Sequence, residues 1–401
     1  MCAGLLPGTK KRGGVQHYPN ASPHKGRSDL HKGRMSMKLF EPLTIRGMVL
    51  KNRIVMPAMQ LMLGLRNRRA RAFYLERARG GVGAIIMCGT SVDLFVDDEA
   101  WGRAGGVRRF IEGMQSFTEE MRNAGARIGI QLWHGNQLPA GNGASMMPGG
   151  ELAAPSAVDT MRALTKDEIR SIIHKFAQAS GTAQEAGFDF VEVHGAHGYL
   201  PCQFFSGADN KRTDEYGGDL HGRMRFGFEM VEAMRGTVGN AFPIFYRIGA
   251  KEKRAGGITI RQSKSFAAEL EKAGVDAFDV SIGLPTGREA SPTKRAKMGT
   301  FVYLAEAIKK AVSVPVMAVG RINRPEVAES IVAGGRADIV GIARQLVTDP
   351  DWPNKAMEGR TEAIIPCNSC NACFQPLRGG TWNPGDLICT VNKRAGREID
   401  T

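Results

Sequence analysis

Eight short apolar runs, each followed by a stretch with helical spacing, constrain this chain more than any other feature. The runs are Arg53–Met56, Ala84–Met87, Arg127–Leu132, Phe188–Val193, Pro243–Ile248, Ala277–Ile282, Val316–Val319 and Asp338–Gly341. Between them, residues 166–186 repeat Ile169, Ile172, Ile173, Phe176 and Ala177 on one helical face, and residues 223–238 do the same with Phe226, Met230, Val231 and Met234. Strands and helices that alternate with short connections form parallel sheets, and eight such units over roughly 300 residues favour a closed (β/α)8 TIM barrel, an α/β fold. A doubly wound sheet is the alternative. It calls for a glycine-rich turn after the first strand, where this chain has Met56, Pro57, Ala58, Met59 and Gln60. At 401 residues and 42% hydrophobic content, the chain can bury the core that a barrel requires.

Barrel enzymes carry their chemistry at the C-terminal ends of the strands, so the polar residues there matter most. Gln60 follows the first run, Gln131 closes the third, His194 and His197 follow the fourth with Tyr199 close behind, and Arg247 ends the fifth. Two imidazoles can hold a carbonyl oxygen and a phenol can deliver a proton, which suits reduction of a polarised double bond. A loop whose histidines satisfy backbone groups is the plain alternative, as a buried ion pair is for Arg247. An amide plus a guanidinium suits a flat heteroaromatic with alternating donors and acceptors. Gly320-Arg321 and Ala343-Arg344 end the last two runs, where barrels bind phosphate through backbone N–H groups. One phosphate and one flat ring point to FMN.

The net charge of +14 is partly local, since residues 1–37 hold seven Lys/Arg against one Asp. That segment has no helical or strand period and reads as a basic, disordered tail, either genuine or an over-extended start before Met35 or Met37. The remaining charge is dispersed rather than gathered on an aromatic-interleaved face, which argues against nucleic acid. No run approaches the ~18 apolar residues of a membrane span, and the first residues lack a signal-peptide core, so a cytoplasmic protein is expected. Residues 134–164 form a long irregular insertion after the third run, either a cap on the active face or a surface excursion.

Five motifs in order, Leu39–Met56, Ala78–Gly83, Gln131–His134, His194–Leu200 and Asn210–Gly218, resemble the Old Yellow Enzyme family of FMN-dependent NAD(P)H:flavin oxidoreductases from about Leu39 to the end of the chain. The resemblance implies a barrel that takes hydride from NAD(P)H and passes it from flavin N5 to the β-carbon of an enone or enoyl substrate. It places Gln131 and Arg247 on the flavin pyrimidine edge and Ala58, Met59, Gln60 and Gly89 along the ring. Gly320, Arg321, Ala343 and Arg344 fall at the phosphate, His194 and His197 at the substrate carbonyl, and Tyr199 as proton donor. Two departures stand out. Gln60 replaces the Thr or Cys usual after the first strand, and Ala343 replaces the usual Gly.

Seven cysteines are present, an odd number, and four lie near one end: Cys367, Cys370, Cys373 and Cys389. This favours metal chemistry in a reducing compartment over disulfides. The C-x2-C-x2-C run with a later fourth thiol is compatible with a [4Fe–4S] cluster, with zinc, or with free thiols. Larger relatives similar to 2,4-dienoyl-CoA reductase, 2-enoate reductase and trimethylamine dehydrogenase carry such a cluster just after the barrel. They read C-x2-C-x3-C, whereas this chain has one residue fewer in the run and fifteen between Cys373 and Cys389. The expected organisation is a tail over 1–37, an FMN-binding barrel over 38–360 and a Cys-rich iron–sulfur segment over 361–401. The larger relatives continue into nucleotide-binding domains that feed electrons inward. A fragment, a separate reductase subunit or direct NAD(P)H reduction each accounts for their absence here. An amine dehydrogenase or demethylase and a non-catalytic electron-transfer subunit are the alternative functions; the oligomeric state, a homo-oligomer included, is left open.

Overall fold

The computed structural model describes residues 37–399 apart from 62, 66, 103, 136–150, 159, 285–289 and 375–386. The basic tail, with Cys2, and much of the 134–164 insertion therefore lie outside the described residues. Eight parallel strands close into a barrel in sequence order. They are β1 (Ile54–Met56), β2 (Ala84–Ser91), β3 (Arg127–Trp133), β4 (Phe190–Gly195), β5 (Ile244–Gly249), β6 (Ala277–Ser281), β7 (Val316–Ala318) and β8 (Ile339–Gly341), with β8 pairing back onto β1. Nearly every strand residue is buried, as expected of strands covered by helices on one side and filled by side chains on the other.

All eight predicted strands are present, but several ends move: β2 runs on from the expected Met87 to Ser91, and the others shift by one or two residues. The apolar run before His194 suggests a strand that stops at Val193, whereas β4 continues through Gly195. The parallel ladder pairs His194 with Arg247 and Gly195 with Ile248, so Arg247 also sits inside β5 rather than at its end. Polar side chains continue a strand here because they face other polar groups across the barrel, not water. A further pair, Leu43–Ile45 with Met48–Leu50, forms an antiparallel hairpin that periodicity does not reveal. Its turn, Arg46-Gly47, has both residues at positive φ, the geometry that two-residue hairpins favour.

The helices start where side chains can accept the first free backbone N–H groups. Thr165 and Glu168 form a reciprocal capping box at α3 (Lys166–Glu185), counted after α1 (Arg68–Arg79) and α2 (Gly106–Asn123). Asp219 caps α4 (Leu220–Val238), and Thr259 with Gln262 repeats the box at α5 (Ile260–Ala273). The ring closes with α6 (Val302–Lys309), α7 (Pro325–Ala333) and the short α8 (Arg344–Thr348) and α9 (Trp352–Glu358). Among the described residues no helix is long and apolar enough to cross a membrane.

The C-terminal segment is tied to the barrel by buried polar bonds. Gln345 donates to Ile365 O at 2.8 Å and accepts from Cys367 N at 2.8 Å, and Asn323 donates to Cys367 O at 3.2 Å. Farther on, Glu398 accepts from Arg77 at 2.7 Å. Arg77 is wholly buried, lies 3.5 Å from the Phe73 ring centroid, and also donates to Phe73 O and Leu346 O. A charge this deep is tolerated because all three guanidinium nitrogens donate and the Phe73 ring lies against the group. Replacing Arg77 by Ala removes a wholly buried guanidinium, and with it the ion pair to Glu398 and the donors to the Phe73 and Leu346 carbonyl oxygens. The expected loss is about 3–5 kcal/mol of unfolding free energy, read as a lower urea midpoint with an unchanged slope.

Candidate active site

The thirteen barrel residues assigned to the site from sequence all line one cavity of about 420 Å³ at the C-terminal ends of the strands. Ala58, Met59 and Gln60 follow β1, Gly89 lies in β2 and Gln131 in β3. His194, His197 and Tyr199 come from β4 and the turn after it, Arg247 from β5, Gly320 and Arg321 from the end of β7, and Ala343 and Arg344 from the end of β8. The cavity also takes Trp133, Ser291, Phe301, Asn323 and Gln345, which the sequence reading did not single out. Trp133 was within reach of it, being two residues beyond Gln131 on the same strand and hence on the same face.

At one end stand the two imidazoles and the phenol. The His194 and His197 rings are edge-to-face at 5.1 Å, His194 and Tyr199 are 4.4 Å apart, and Trp133 backs Tyr199 at 5.1 Å. His197 holds a left-handed backbone at φ 58° and places Nε2 2.8 Å from the Ser281 hydroxyl. Burial, then the neighbouring His197 and Arg247, holds the His194 imidazolium well below the usual histidine range; burial and Arg247 do the same for His197. Both rings are therefore neutral at neutral pH, and His194 Nδ1 is buried without a hydrogen-bond partner. Burial raises the Tyr199 phenol, only partly offset by Arg247, so it keeps its proton.

Beneath the cavity lies a polar floor that the sequence reading missed. Gln131 donates to Glu192 at 2.8 Å, and Arg247 Nε stands 3.0 Å from Asp279. Glu192 and Asp279 are fully buried. Burial and then the Asp279 charge push Glu192 up to about 8, against the pull of Arg247 and Gln131. Burial also raises Asp279, against Arg247. Arg247 thus does make the buried ion pair entertained for it, and lines the cavity as well. The period-2 pattern carries the missing signal, because Glu192 is two residues before His194 and shares its face.

The other end is basic and tightly built. Gly320 has φ +112°, and a Cβ there would come within 3.0 Å of the Phe301 backbone N. A Cβ on Gly341 would lie 2.6 Å from Val319. Arg321 donates to Ala296 O, and its Nε is buried without a partner. Arg344 donates to Asn371. Burial lowers the Arg344 guanidinium, opposed by the nearby thiols of Cys367, Cys373 and Cys370. A slot with two guanidinium groups at one end, close-packed glycines, and an amide–guanidinium pair in its floor has the donor set of a flavin mononucleotide. The unpartnered Arg321 Nε and His194 Nδ1 are the buried polar atoms that a bound molecule would satisfy.

The four thiols lie outside the cavity, beside the β7 and β8 ends. Backbone N–H groups of Ser369, Ala372 and Asn392 point at the sulfurs of Cys367, Cys370 and Cys389 at 3.4, 3.5 and 3.3 Å. Cys373 is in electrostatic reach of the other three. Among the described residues no group of three or more His, Cys, Asp or Glu side chains is gathered to hold a metal ion. The donor chemistry fits a thiolate-ligated centre, but the thiols are neighbours rather than an assembled cage. Cys88 and Cys202 are free thiols apart from this group.

The comparisons with known proteins bear on these observations. The model of the NADH:flavin oxidoreductase / NADH oxidase family matches residues 38–363. An NADH oxidase of Thermoanaerobacter brockii is 41% identical over 391 residues, covering 90% of this chain and 56% of that protein. A cinnamate reductase of Clostridium sporogenes is 31% identical over 395 residues, covering 90% of this chain and 58% of that protein. A solved 2-naphthoyl-CoA reductase complex superposes with a TM-score of 0.80 at 29% identity, over 91% of this chain and 58% of that one. The chain thus spans a little over half the length of these relatives. It belongs to the NADH:flavin oxidoreductase / NADH oxidase family, a family of enzymes built on the (β/α)8 barrel.

Proposed function

We propose that this protein is an FMN-dependent oxidoreductase that uses NAD(P)H to reduce the C=C bond of an α,β-unsaturated carbonyl compound or enoyl thioester. The observation that carries this reading is the convergence of His194, His197 and Tyr199 at one end of a cavity whose other end is basic. Gln131 and Arg247 would hold the pyrimidine edge of the flavin, Ala58, Met59, Gln60 and Gly89 its ring, and Arg321, Arg344 and the backbone at Gly320 and Ala343 its phosphate. When bound, FMN supplies the reducing equivalent, taken from NAD(P)H, that reaches the β-carbon. The protein does the rest. Two neutral imidazoles can donate to the carbonyl oxygen and draw charge toward it, while Tyr199, kept protonated by burial, gives its proton to the α-carbon.

The paired His194 and His197, suited to a carbonyl oxygen rather than to a cation, set amine oxidation second. The names of the cinnamate and naphthoyl-CoA reductases support a conjugated acid or thioester as substrate class. Cys367, Cys370, Cys373 and Cys389 are proposed as ligands of a [4Fe–4S] cluster, supported by the N–H groups aimed at three of the sulfurs. A separate reductase subunit or domain is the proposed alternative source of electrons.

The deciding experiment is an anaerobic spectrum of the purified chain, to which NADH or NADPH and then an enoyl substrate are added. Flavin bands that bleach with the nucleotide and return with the alkene are expected. Flavin that stays oxidised points to electrons from a partner, and flavin that bleaches but never recovers on alkene makes the chain an electron-transfer unit. Tyr199→Phe should retain FMN and slow alkene reduction by about 100-fold or more, the usual cost of losing a general acid; unchanged turnover would move the proton donor elsewhere. Cys370→Ser should lose iron and acid-labile sulfide without emptying the flavin site, whereas loss of zinc alone would identify a structural metal. For the histidines, the sign follows from their lowered values. Nitrogen-15 spectra should show neutral tautomers of His194 and His197 from pH 8 down to pH 6, and an imidazolium signal in that range would contradict the assigned roles.

A further inference from the structure

The carboxyl groups under the cavity have no part in the reaction described above, yet they are the most deeply buried acids near it. Gln131 gives its amide N–H to Glu192, so its carbonyl oxygen must turn the other way. That oxygen faces Gly89 across the cavity wall, where a Cβ on Gly89 would stand 3.0 Å from it. Arg247 is held on the opposite side by Asp279 at 3.0 Å and by the Ala58 carbonyl at 3.3 Å. The floor therefore offers one acceptor and one cationic donor side by side. A flavin pyrimidine edge presents a ring N–H between two carbonyl oxygens, the complementary pattern.

Charge decides the state of the two acids. Facing Glu192 are Gln131 from β3, Arg247 from β5 and Asp279 from β6, and the neutral His194 lies two residues farther along its own strand. With both carboxyl groups ionised, this dry pocket would carry an uncompensated negative charge, which burial disfavours. Asp279 has the guanidinium beside it and keeps the charge. Glu192 has a neutral amide as its hydrogen-bond partner, and its Oε2 is buried without one. Glu192 is the group that retains a proton.

We propose that Glu192 and Asp279 are positioning residues for the bound flavin, Glu192 orienting Gln131 and Asp279 orienting Arg247, with the two carboxyl groups carrying a single negative charge between them. The proposal rests on the flavin reading above. It has a consequence for the electron affinity of the site. When the flavin accepts a hydride equivalent from NAD(P)H, negative charge is added above the floor, and an ionised Glu192 opposes it. If Glu192 is ionised beforehand, it takes one proton from solvent as the flavin is reduced, so one further proton is bound per two electrons. By linkage the midpoint potential falls more steeply with pH once Glu192 ionises in the oxidised protein.

Two measurements test this on the full chain. Infrared difference spectra of the protein as purified should show a protonated-carboxyl band at pH 7 that fades above about pH 8 and is missing in Glu192→Gln. In Asp279→Asn, Glu192 becomes the partner of Arg247 and ionises, so the band should vanish at pH 7. Reductive titration of the FMN-loaded protein from pH 6 to pH 10 should show the steeper limb in the wild type and a single slope in Glu192→Gln, a permanently neutral near-isostere. A protein that binds FMN but lacks the band overturns the shared-charge pair. A wild type that shows the band but whose potential follows the same slope as that of Glu192→Gln overturns the coupling to the flavin. A protein with the band that retains no FMN refutes the flavin reading itself, and with it the positioning role.

Discussion

The parallel register that runs from β3 to β6 is the constraint on which the rest of this molecule depends. It sets Gln131 opposite Glu192, His194 opposite Arg247, and Arg247 opposite Asp279. A one-residue slip in any of these ladders would turn a polar side chain into the helix layer and an apolar one into the cavity. The barrel interior is buried, so a polar group there is stabilised chiefly by what the adjacent strand sets opposite it. Fold and site are for this reason not separable here: the pairs that let polar residues enter the barrel also aim them at whatever occupies it.

The closed end of the cavity joins the barrel to the C-terminal segment. Asn323 and Gln345 line the cavity and also bind the backbone of Ile365 and Cys367, while Arg344 lies between the cavity and the thiols. Arg77 and Glu398 fasten the same segment from the far side. The thiol group is thus held by the loops that line the basic end of the cavity.

Much of this was legible in the sequence. Hydrophobic runs of strand length alternating with helical periods specify a barrel without knowledge of any single contact, and once the strand ends are marked, the residues at the mouth follow from the fold rule alone. The boundary errors at His194 and Arg247 share a cause, since a polar residue reads as the end of a strand when its partner on another strand is not visible. Glu192 and Asp279 were passed over for the same reason. An acid inside an apolar run has meaning only when the group facing it is known. Phe301, Asn323 and Gln345 reach the cavity from loop and helix starts, where no period marks them.

The backbone at His197 has a consequence for how this site can vary. At φ 58° the position lies in the left-handed region, which histidine, asparagine, aspartate and glycine adopt most readily and β-branched residues least. Of these, only histidine and asparagine combine a neutral N–H donor with that backbone. Conformational strain therefore filters substitutions before selection acts on chemistry, and the set that survives is already enriched in groups able to hold a carbonyl oxygen. Drift at this position stays close to function because the turn, not the reaction, narrows the choice.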